Sequence, residues 1–280
     1  MKEKVNRSAS SQQMQQEKIR ENMKKITYKL MVISGKGGVG KSTIAVNLAF
    51  NLVLQDKKVG LLDVDIHGPS IAKMVGIEGK RMGVLPDETI EPIFVPPGLR
   101  VVTIASLLEN SDTPVIWRGP LKMKLISQFL GDVDWSELDY LIIDSPPGTG
   151  DEPLSVAQLI PNLTGAIVVT TPQEVALLDS RKAVNFAKNL NLPVIGIIEN
   201  MSGLVCPYCG KEIKLFKSGG GEKAARELGV PFLGRIPIDP AIVESTDSGK
   251  PFVIASKKGS NWEPMKRVVS NILKQINRYS

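Results

Sequence analysis

A glycine-rich stretch, "GKGGVGKST" at residues 35–43, carries the clearest chemical signal in the chain. It fits the pattern G-x-x-x-x-G-K-[ST], and it stands between a predicted strand and a predicted helix. Backbone N–H groups of such a loop turn inward around an anion, and the helix N-terminus adds its positive dipole end. The stretch therefore predicts a nucleotide phosphate site. Its residues are Gly35, Lys36, Gly37, Gly38, Val39, Gly40, Lys41, Ser42 and Thr43.

The last three residues of this loop have roles that follow from the motif. Lys41 is expected to meet the β- and γ-phosphates, and Ser42 is expected to bind Mg²⁺. Thr43 is expected to lie near the α-phosphate. The spacing does not distinguish ATP from GTP.

Carboxylates follow two apolar runs that are typical of buried strands. Asp63 and Asp65 end the run "KKVGLLDVD", and Asp144 ends the run "LDYLIID". In α/β folds the carboxyl ends of the strands border the ligand crevice. We expect Asp144 to complete the Mg²⁺ shell and Asp63 to support Mg²⁺ through water. The turn that ends at Gly148 is expected to sense the γ-phosphate through its backbone.

The two cysteines of the chain, Cys206 and Cys209, form a C-x-x-C pair within "GLVCPYCGKEI". Thiolates suit both zinc and iron–sulfur clusters, and each of these sites takes about four ligands. One chain supplies two, so a symmetric dimer would complete the site. A redox pair or an inert pair is a further alternative, although a thioredoxin-like redox motif normally opens a helix.

Together these motifs resemble the Mrp/ApbC family of iron–sulfur cluster carrier ATPases, in the MinD/ParA/nitrogenase iron protein class. The resemblance rests on the deviant Walker A pattern "KGGVGKST", on "DVDIHGPSI", on "TPVIWRGPL" with "IDSPPGTGD", and on "ENMSGLVCPYCG". It covers about residues 27–255. Septum-site and plasmid-partition ATPases share the P-loop but lack the C-x-x-C and W-R-G-P stretches. The four-cysteine N-terminal cluster of eukaryotic cytosolic relatives is missing, so no second, tightly held cluster is expected.

The resemblance implies a homodimeric, slow ATPase that binds a labile [4Fe–4S] cluster at its interface and transfers it to apo-proteins. Cluster donors would be further partners, and Zn²⁺ is the alternative occupant of the C-x-x-C site. Lys36 is expected to reach across the dimer to the partner's nucleotide, and Asp65 to orient the attacking water. Lys36, Lys41 and Asp65 are thus the expected catalytic residues. Asn200 and Pro237 match the segments that contact adenine.

Alternating apolar and amphipathic stretches predict the elements that position these residues. Strands are expected at 28–34, 57–65, 99–106, 138–144, 165–171 and 192–200, and helices at 44–55, 120–131, 151–160, 174–190 and 262–280. Continuous apolar strands between helices predict an α/β fold with a doubly wound, mainly parallel sheet, which is the P-loop NTPase fold of the deviant Walker A type.

We expect three parts along the chain. A flexible polar N-terminal tail would occupy residues 1–26, and a P-loop ATPase domain with the C-x-x-C metal loop would occupy 27–256. A basic amphipathic C-terminal helix, packed on the same domain, would occupy 257–280. His67, the only histidine, is expected to be structural.

The net charge of +6 is concentrated at the two ends of the chain. Residues 1–29 hold eight Lys or Arg against three Glu, and residues 257–280 hold six against one, around a mildly acidic body. This pattern is not a basic stripe along a groove, so no nucleic-acid partner is expected. Two cysteines exclude a secreted disulfide framework. Without a signal-peptide core or a run of about 18 apolar residues, we expect a cytoplasmic protein with no stable membrane association.

Two rival functions stay open on the sequence. One is a MinD/ParA-like positioning or partition ATPase, and the basic C-terminal helix is the one feature in its favour. The other is a non-catalytic interaction module whose P-loop only gates assembly.

Overall fold

The computed structural model describes residues 2–66, 68–107, 119–206, 209–213, 215, 217–255 and 262–278. The helices are α1 (Lys2–Lys24), α2 (Lys41–Val53), α3 (Ile71–Met74), α4 (Gly119–Gly131), α5 (Asp151–Leu159), α6 (Glu174–Asn189), α7 (Gly220–Leu228), α8 (Pro240–Asp247), α9 (Phe252–Ala255) and α10 (Trp262–Ile276). The strands are β1 (Ile26–Ile33), β2 (Val59–Asp63), β3 (Gly83–Val84), β4 (Ile90–Glu91), β5 (Ile93–Val95), β6 (Leu99–Thr103), β7 (Leu138–Asp144), β8 (Gly165–Thr170), β9 (Val194–Val205), β10 (Glu212–Ile213) and β11 (Phe232–Ile238).

Most of the strands form one sheet in the order β10-β9-β8-β1-β7-β2-β6-β5, with β11 on the other side of β9 from β8. The pairs from β6 through β2, β7, β1, β8 and β9 to β11 are all parallel. The short strands β5 and β10 pair antiparallel with β6 and β9, and β3 and β4 form a separate ladder. The predicted α/β fold with a mainly parallel sheet is therefore confirmed.

Both faces of the sheet are covered by helices, which explains the continuous apolar strands. In β1, Leu30 and Val32 belong to a buried cluster that includes α2 and α10. Met31 and Ile33 belong to a second cluster, which includes α1, α4 and α6. Because successive strand residues point to opposite faces, both sets of positions must be apolar. The expected doubly wound arrangement follows.

The N-terminal segment differs from the flexible tail expected over residues 1–26, because the structure has helix α1 there. Ile19 and Met23 are buried against α4. The Asn22 amide donates to the carbonyl of Leu130 at 2.9 Å and to that of Val133 at 2.6 Å. The polar composition hides this narrow apolar stripe, in which residues four apart share one helix face. The division of the chain into three parts stays a prediction.

The C-terminal helix α10 places its apolar face on the domain, in contact with α2, β9 and β11. Fully burying one such aliphatic side chain stabilises a fold by about 1.5–3 kcal/mol. Lys266, Arg267 and Lys274 lie on the exposed side. Among the described residues, no helix combines the length and the apolar character that crossing a bilayer requires. The buried side chains of α10 are Met265, Val268, Val269, Ile272 and Ile276.

Candidate functional site

The phosphate loop connects the end of β1 to the start of α2 at Lys41. Gly38 and Gly40 have φ angles of 74° and 82°, in the left-handed region that favours glycine. A Cβ atom on Gly40 would lie 2.2 Å from Nδ2 of Asn200. Gly40 is therefore required both by its backbone conformation and by the close approach of β9.

The turn after β7 is tied to this loop through backbone groups. The N–H of Gly148 donates to the carbonyl of Ser34 at 2.9 Å. The Ser34 hydroxyl donates to the carbonyl of Lys36, also at 2.9 Å. The structure thus brings the predicted γ-phosphate sensor next to the loop, while Ser42 and Thr43 lie half-buried in the first turn of α2.

Lys41 is buried in an acidic environment, with 6% of its surface exposed. Its Nζ atom lies 2.6 Å from Oδ1 of Asp144 and 3.7 Å from Oδ2 of Asp65. Asp63 and Asp144 are register partners on the adjacent strands β2 and β7, so their carboxylates share one end of the sheet. The Thr103 hydroxyl donates to Asp63 Oδ2 at 2.8 Å.

The pKa values of two carboxylates in this cluster are raised above their ordinary values. Burial, and secondly the charge of Asp144, raises the pKa of Asp63 to about 8. Burial also raises the pKa of Asp144, against the opposing effect of Lys41 and Ser42. Among the described residues, Oδ2 of Asp144 is buried with no hydrogen-bond partner. Such an orphaned acceptor fits a cation or its bound water, and carboxylate and hydroxyl oxygens are the ligands that Mg²⁺ prefers.

The two cysteines come after β9, which ends at Val205. We call residues 203–218 the cysteine ribbon; in it β10 pairs antiparallel with the last residues of β9. The N–H of Cys206 donates to the carbonyl of Lys211, and the N–H of Gly210 donates to the carbonyl of Cys206, both at 2.9 Å. Cys206 is half-buried and Cys209 is exposed, and both carry thiols rather than a disulfide. One chain therefore presents two metal-type ligands at a surface turn.

The positions predicted to contact the base have different surroundings. The amide of Asn200 is buried and donates to the carbonyl of Val39 at 2.9 Å, so it lies directly against the phosphate loop. Pro237 lies on β11, next to Ile236, which is the register partner of Asn200. The structure thus brings Asn200 to the loop and Pro237 to the neighbouring strand.

Some predicted positions lie outside the described residues. These are His67, residues 113–118 of the stretch "TPVIWRGPL", and the two residues between the cysteines, Pro207 and Tyr208.

Glu199, a fully buried carboxylate between the two sites, was not among the predicted residues. It accepts hydrogen bonds from the backbone N–H groups of Gly219 and Gly221. A Cβ atom on Gly221 would lie 2.9 Å from the Cβ atom of Glu199, which explains a glycine there. Two signals were available in the sequence: a glutamate in the otherwise apolar "VIGIIEN" and the glycine triplet in "SGGGEK".

Comparison with known proteins agrees with this geometry. Residues 25–276 match the family model described as NUBPL iron-transfer P-loop NTPase, of the ParA group. A protein of Methanocaldococcus jannaschii named iron–sulfur cluster carrier protein is 55% identical over 262 residues, which are 94% of this chain and 89% of that protein. A protein of Saccharolobus solfataricus with the same name is 46% identical over 259 residues, covering 92% and 87%.

Solved structures share the fold. A nucleotide-binding protein of Archaeoglobus fulgidus, solved with ADP and with cobalt detected, superposes with a TM-score of 0.77 at 39% identity, covering 89% of this chain and 95% of that one. The septum site-determining protein MinD of Pyrococcus horikoshii, solved with Mg-ADP, superposes with a TM-score of 0.64 at 23% identity, covering 91% and 99%. The resemblance drawn from the motifs is confirmed, and the chain belongs to the NUBPL iron-transfer P-loop NTPase family.

Proposed function

We propose that this protein is a nucleotide-dependent carrier of iron–sulfur clusters, which takes up a labile [4Fe–4S] cluster as cargo and transfers it to apo-proteins. One observation carries the proposal: two cysteine thiols follow strand β9 at the same end of the parallel sheet as the phosphate loop, whose Lys41 is buried. The names of the Methanocaldococcus and Saccharolobus relatives support it. Cluster donors and apo-protein clients in the cytoplasm are the partners that this function requires.

The proposal requires two copies of the chain. Among the residues that the structure describes, no three or more His, Cys, Asp or Glu side chains are grouped so as to hold a metal ion. A [4Fe–4S] cluster or tetrahedral Zn²⁺ takes about four protein ligands. Cys206 and Cys209 from two copies supply them on a twofold axis, so we propose a homodimer with the cargo between its subunits. In that dimer Lys36 reaches the partner's nucleotide.

ATP is the proposed nucleotide, with Mg²⁺ held by Ser42 and Asp144 and supported through water by Asp63. The buried Asp144 Oδ2, for which the described residues provide no hydrogen-bond donor, supports this because a nearby cation stabilises such an oxygen. When bound, Mg²⁺ would neutralise negative charge on the phosphate oxygens.

Hydrolysis to ADP and phosphate is proposed to be slow. Lys41 would bind the phosphates through its ammonium, which now lies 2.6 Å from Asp144. Asp65, whose carboxylate lies 3.7 Å from Lys41 Nζ, would orient the attacking water. Asn200 and Pro237 are proposed to border the adenine.

Anaerobic reconstitution with iron and sulfide tests the carrier function. The wild-type protein should bind about four iron ions per dimer and show the matching dimer mass in native mass spectrometry. The double variant Cys206→Ala/Cys209→Ala should lose the cluster and keep its nucleotide affinity. Lys211→Ala, an exposed side chain in the same ribbon, is the matched control and should reconstitute normally.

Two results would contradict the proposal. A double cysteine variant that still takes up the usual iron and sulfide would place the cluster elsewhere. A wild-type protein that binds Zn²⁺ tightly and forms no iron–sulfur chromophore would favour the zinc alternative.

A MinD/ParA-like positioning or partition ATPase has less support. Its one favourable feature was the basic C-terminal helix, and the apolar face of α10 is buried against the domain. We therefore propose that neither nucleic acid nor a stable membrane contact is involved. ATP-dependent co-sedimentation with lipid vesicles or with DNA would contradict this proposal and support a positioning or partition ATPase.

A further inference from the structure

The carboxylate of Glu199 joins the two ends of the cysteine ribbon. Before the ribbon, the Ser202 hydroxyl donates to its Oε1. After the ribbon, the N–H of Gly219 donates to Oε1 at 2.9 Å and that of Gly221 donates to Oε2 at 2.5 Å. Arg235 on β11 lies 3.5 Å from Oε1. A fully buried carboxylate needs such partners. Glu199 therefore holds together the residues on either side of the ribbon, which we call its base.

The next residue, Asn200, contacts the phosphate loop instead. Its amide donates to the carbonyl of Val39 and lies 2.2 Å from where a Cβ atom of Gly40 would be. Because successive strand residues point to opposite faces of a sheet, adjacent positions of β9 serve the two sites. One side chain meets the phosphate loop, and its neighbour meets the base of the cysteine ribbon.

The backbone has an unusual conformation directly after this pair, although strand β9 continues. Met201 has a φ angle of 55°, in the left-handed region that is unfavourable for a residue with a side chain. Its Cε atom would lie 3.7 Å from a Cβ atom on Gly40. The register between β9 and β11 also shifts between Ile236 and Ile238. Strained backbone of this kind persists only where surrounding contacts hold it, and here the contacts come from both sites.

We propose that Glu199 is a positioning residue that couples the phosphate loop to the cysteine ribbon. A nucleotide that moves the Val39 carbonyl moves Asn200 and hence β9, and Glu199 carries both ends of the ribbon with it. The direction of the coupling is reciprocal, so a metal at the cysteines changes nucleotide affinity by the same factor. The proposal rests on the proposed function in that it assigns the ribbon as the cargo site.

Thiol alkylation of the reduced, metal-depleted protein tests this coupling without using the cluster. Iodoacetamide labelling of Cys206 and Cys209 is followed by mass spectrometry, with ADP or with a non-hydrolysable ATP analogue and Mg²⁺. Protein is kept at a concentration at which sedimentation shows monomer, so that dimer burial does not contribute. In the wild type the two nucleotides should give labelling rates that differ by at least about fivefold.

The variant Glu199→Gln keeps the shape of the side chain and removes its charge. It should bind nucleotide within about twofold of wild type, while the ratio of labelling rates falls to about one. Glu222→Gln is the matched control, because the Glu222 carboxylate also pairs with Arg235, and its ion pairs among the described residues are with Arg226 and Arg235. It should keep the wild-type ratio. Ser202→Ala, which removes one donor, should lower the ratio partway and serves if Glu199→Gln does not fold.

Two outcomes would overturn the coupling: a wild-type protein whose labelling is the same with both nucleotides, or a folded Glu199→Gln variant with the wild-type ratio. Failure of the carrier function is read separately, from reconstitution with iron and sulfide. If the protein shows the coupling but takes up no cluster, the role of Glu199 would be supported and the proposed cargo would be contradicted.

Discussion

The phosphate loop and the cysteine ribbon follow strands β1 and β9 at the same end of the parallel sheet, but they differ in how much of the site one chain provides. The Lys41 ammonium and the Asp144 carboxylate are buried and lie 2.6 Å apart. Core packing on the two faces of the sheet holds helix α2, which begins at Lys41, and strand β7, which ends at Asp144. The ribbon is an extension with an exposed Cys209 and half of a metal ligand set.

The difference follows from what each site has to do. A phosphate site gains strength when water is excluded, because charges interact more strongly in a low dielectric. A cargo that must leave benefits from ligands that are exposed and shared between copies. Substitutions in one region should show how much of its own stability and binding each site contributes, apart from the coupling through Glu199.

The largest expected effect is the loss of ATP binding caused by a substitution in the phosphate loop. Lys41→Ala removes a charge-assisted contact with phosphate and should weaken ATP binding about 100-fold. Phosphate release should disappear, while Co²⁺ binding at the cysteines, read from its thiolate absorbance, should be retained. Lys57→Ala, an exposed lysine after α2, should change neither property. Loss of Co²⁺ binding in a folded Lys41→Ala variant would show that the sites are not separable in this way.

A smaller effect is expected where β9 approaches the loop. Gly40→Ala adds a methyl group 2.2 Å from the Asn200 amide and forces alanine into a left-handed conformation. It should lower the free energy of unfolding by about 2 kcal/mol in urea denaturation. Gly37→Ala is the control within the same loop, since in the described part of the chain no atom beyond its two neighbours lies within 4 Å of its Cβ position. Equal losses in both variants would contradict the steric explanation.

The pH dependence of stability should reflect the buried Asp63. Its pKa of about 8 in the folded protein lies above its ordinary value of 3.8, so between these pH values the folded state binds more protons than the unfolded state. Its contribution to stability is therefore lost as the pH rises through that window.

Asp63→Asn removes this dependence. Without Mg²⁺ or nucleotide, the variant should exceed wild type in stability by more than about 1 kcal/mol at pH 9, with a smaller difference at pH 5. Urea denaturation across this range measures it, and the exposed Glu244→Gln serves as control. A constant difference between Asp63→Asn and wild type at every pH would refute the assignment.

The smallest effect is expected in the ribbon. Leu215 exposes 57% of its surface, so Leu215→Ser should change the stability of the monomer by no more than about 0.5 kcal/mol. Urea denaturation at low protein concentration is the measurement. A larger loss would mean that the ribbon belongs to the folding core, and the contrast with the phosphate loop would weaken.

The sequence predicts the central sheet well because each parallel strand is a continuous apolar run, as in "LDYLIID" for β7. It predicts the phosphate loop because the chemistry needs consecutive residues. The packing of helix α1 on the domain was not predicted, because its buried stripe is narrow, with Ile19 and Met23 among many polar residues. The two-residue strand β10 is set by its pairing with the end of β9, and a local pattern does not reveal such a partner.

Glu199 shows most clearly what a motif search misses. Its partners Gly219 and Gly221 lie 20 and 22 residues away in the chain, and Arg235 lies on another strand. Only the folded sheet brings these groups together, so no spacing rule connects them. Lys41 and Asp144 are 103 residues apart, but both were predicted for the nucleotide site, one from the glycine-rich loop and the other from the aspartate that ends an apolar run.

The short outer strand β5 has a consequence for self-association. An edge strand offers unpaired N–H and C=O groups to which another chain can add, and such addition is how extended β-aggregates grow. Next to β6 this edge is only three residues long, Ile93–Val95, so it offers few such groups. Addition of further chains at that edge, and fibril growth from it, are therefore disfavoured.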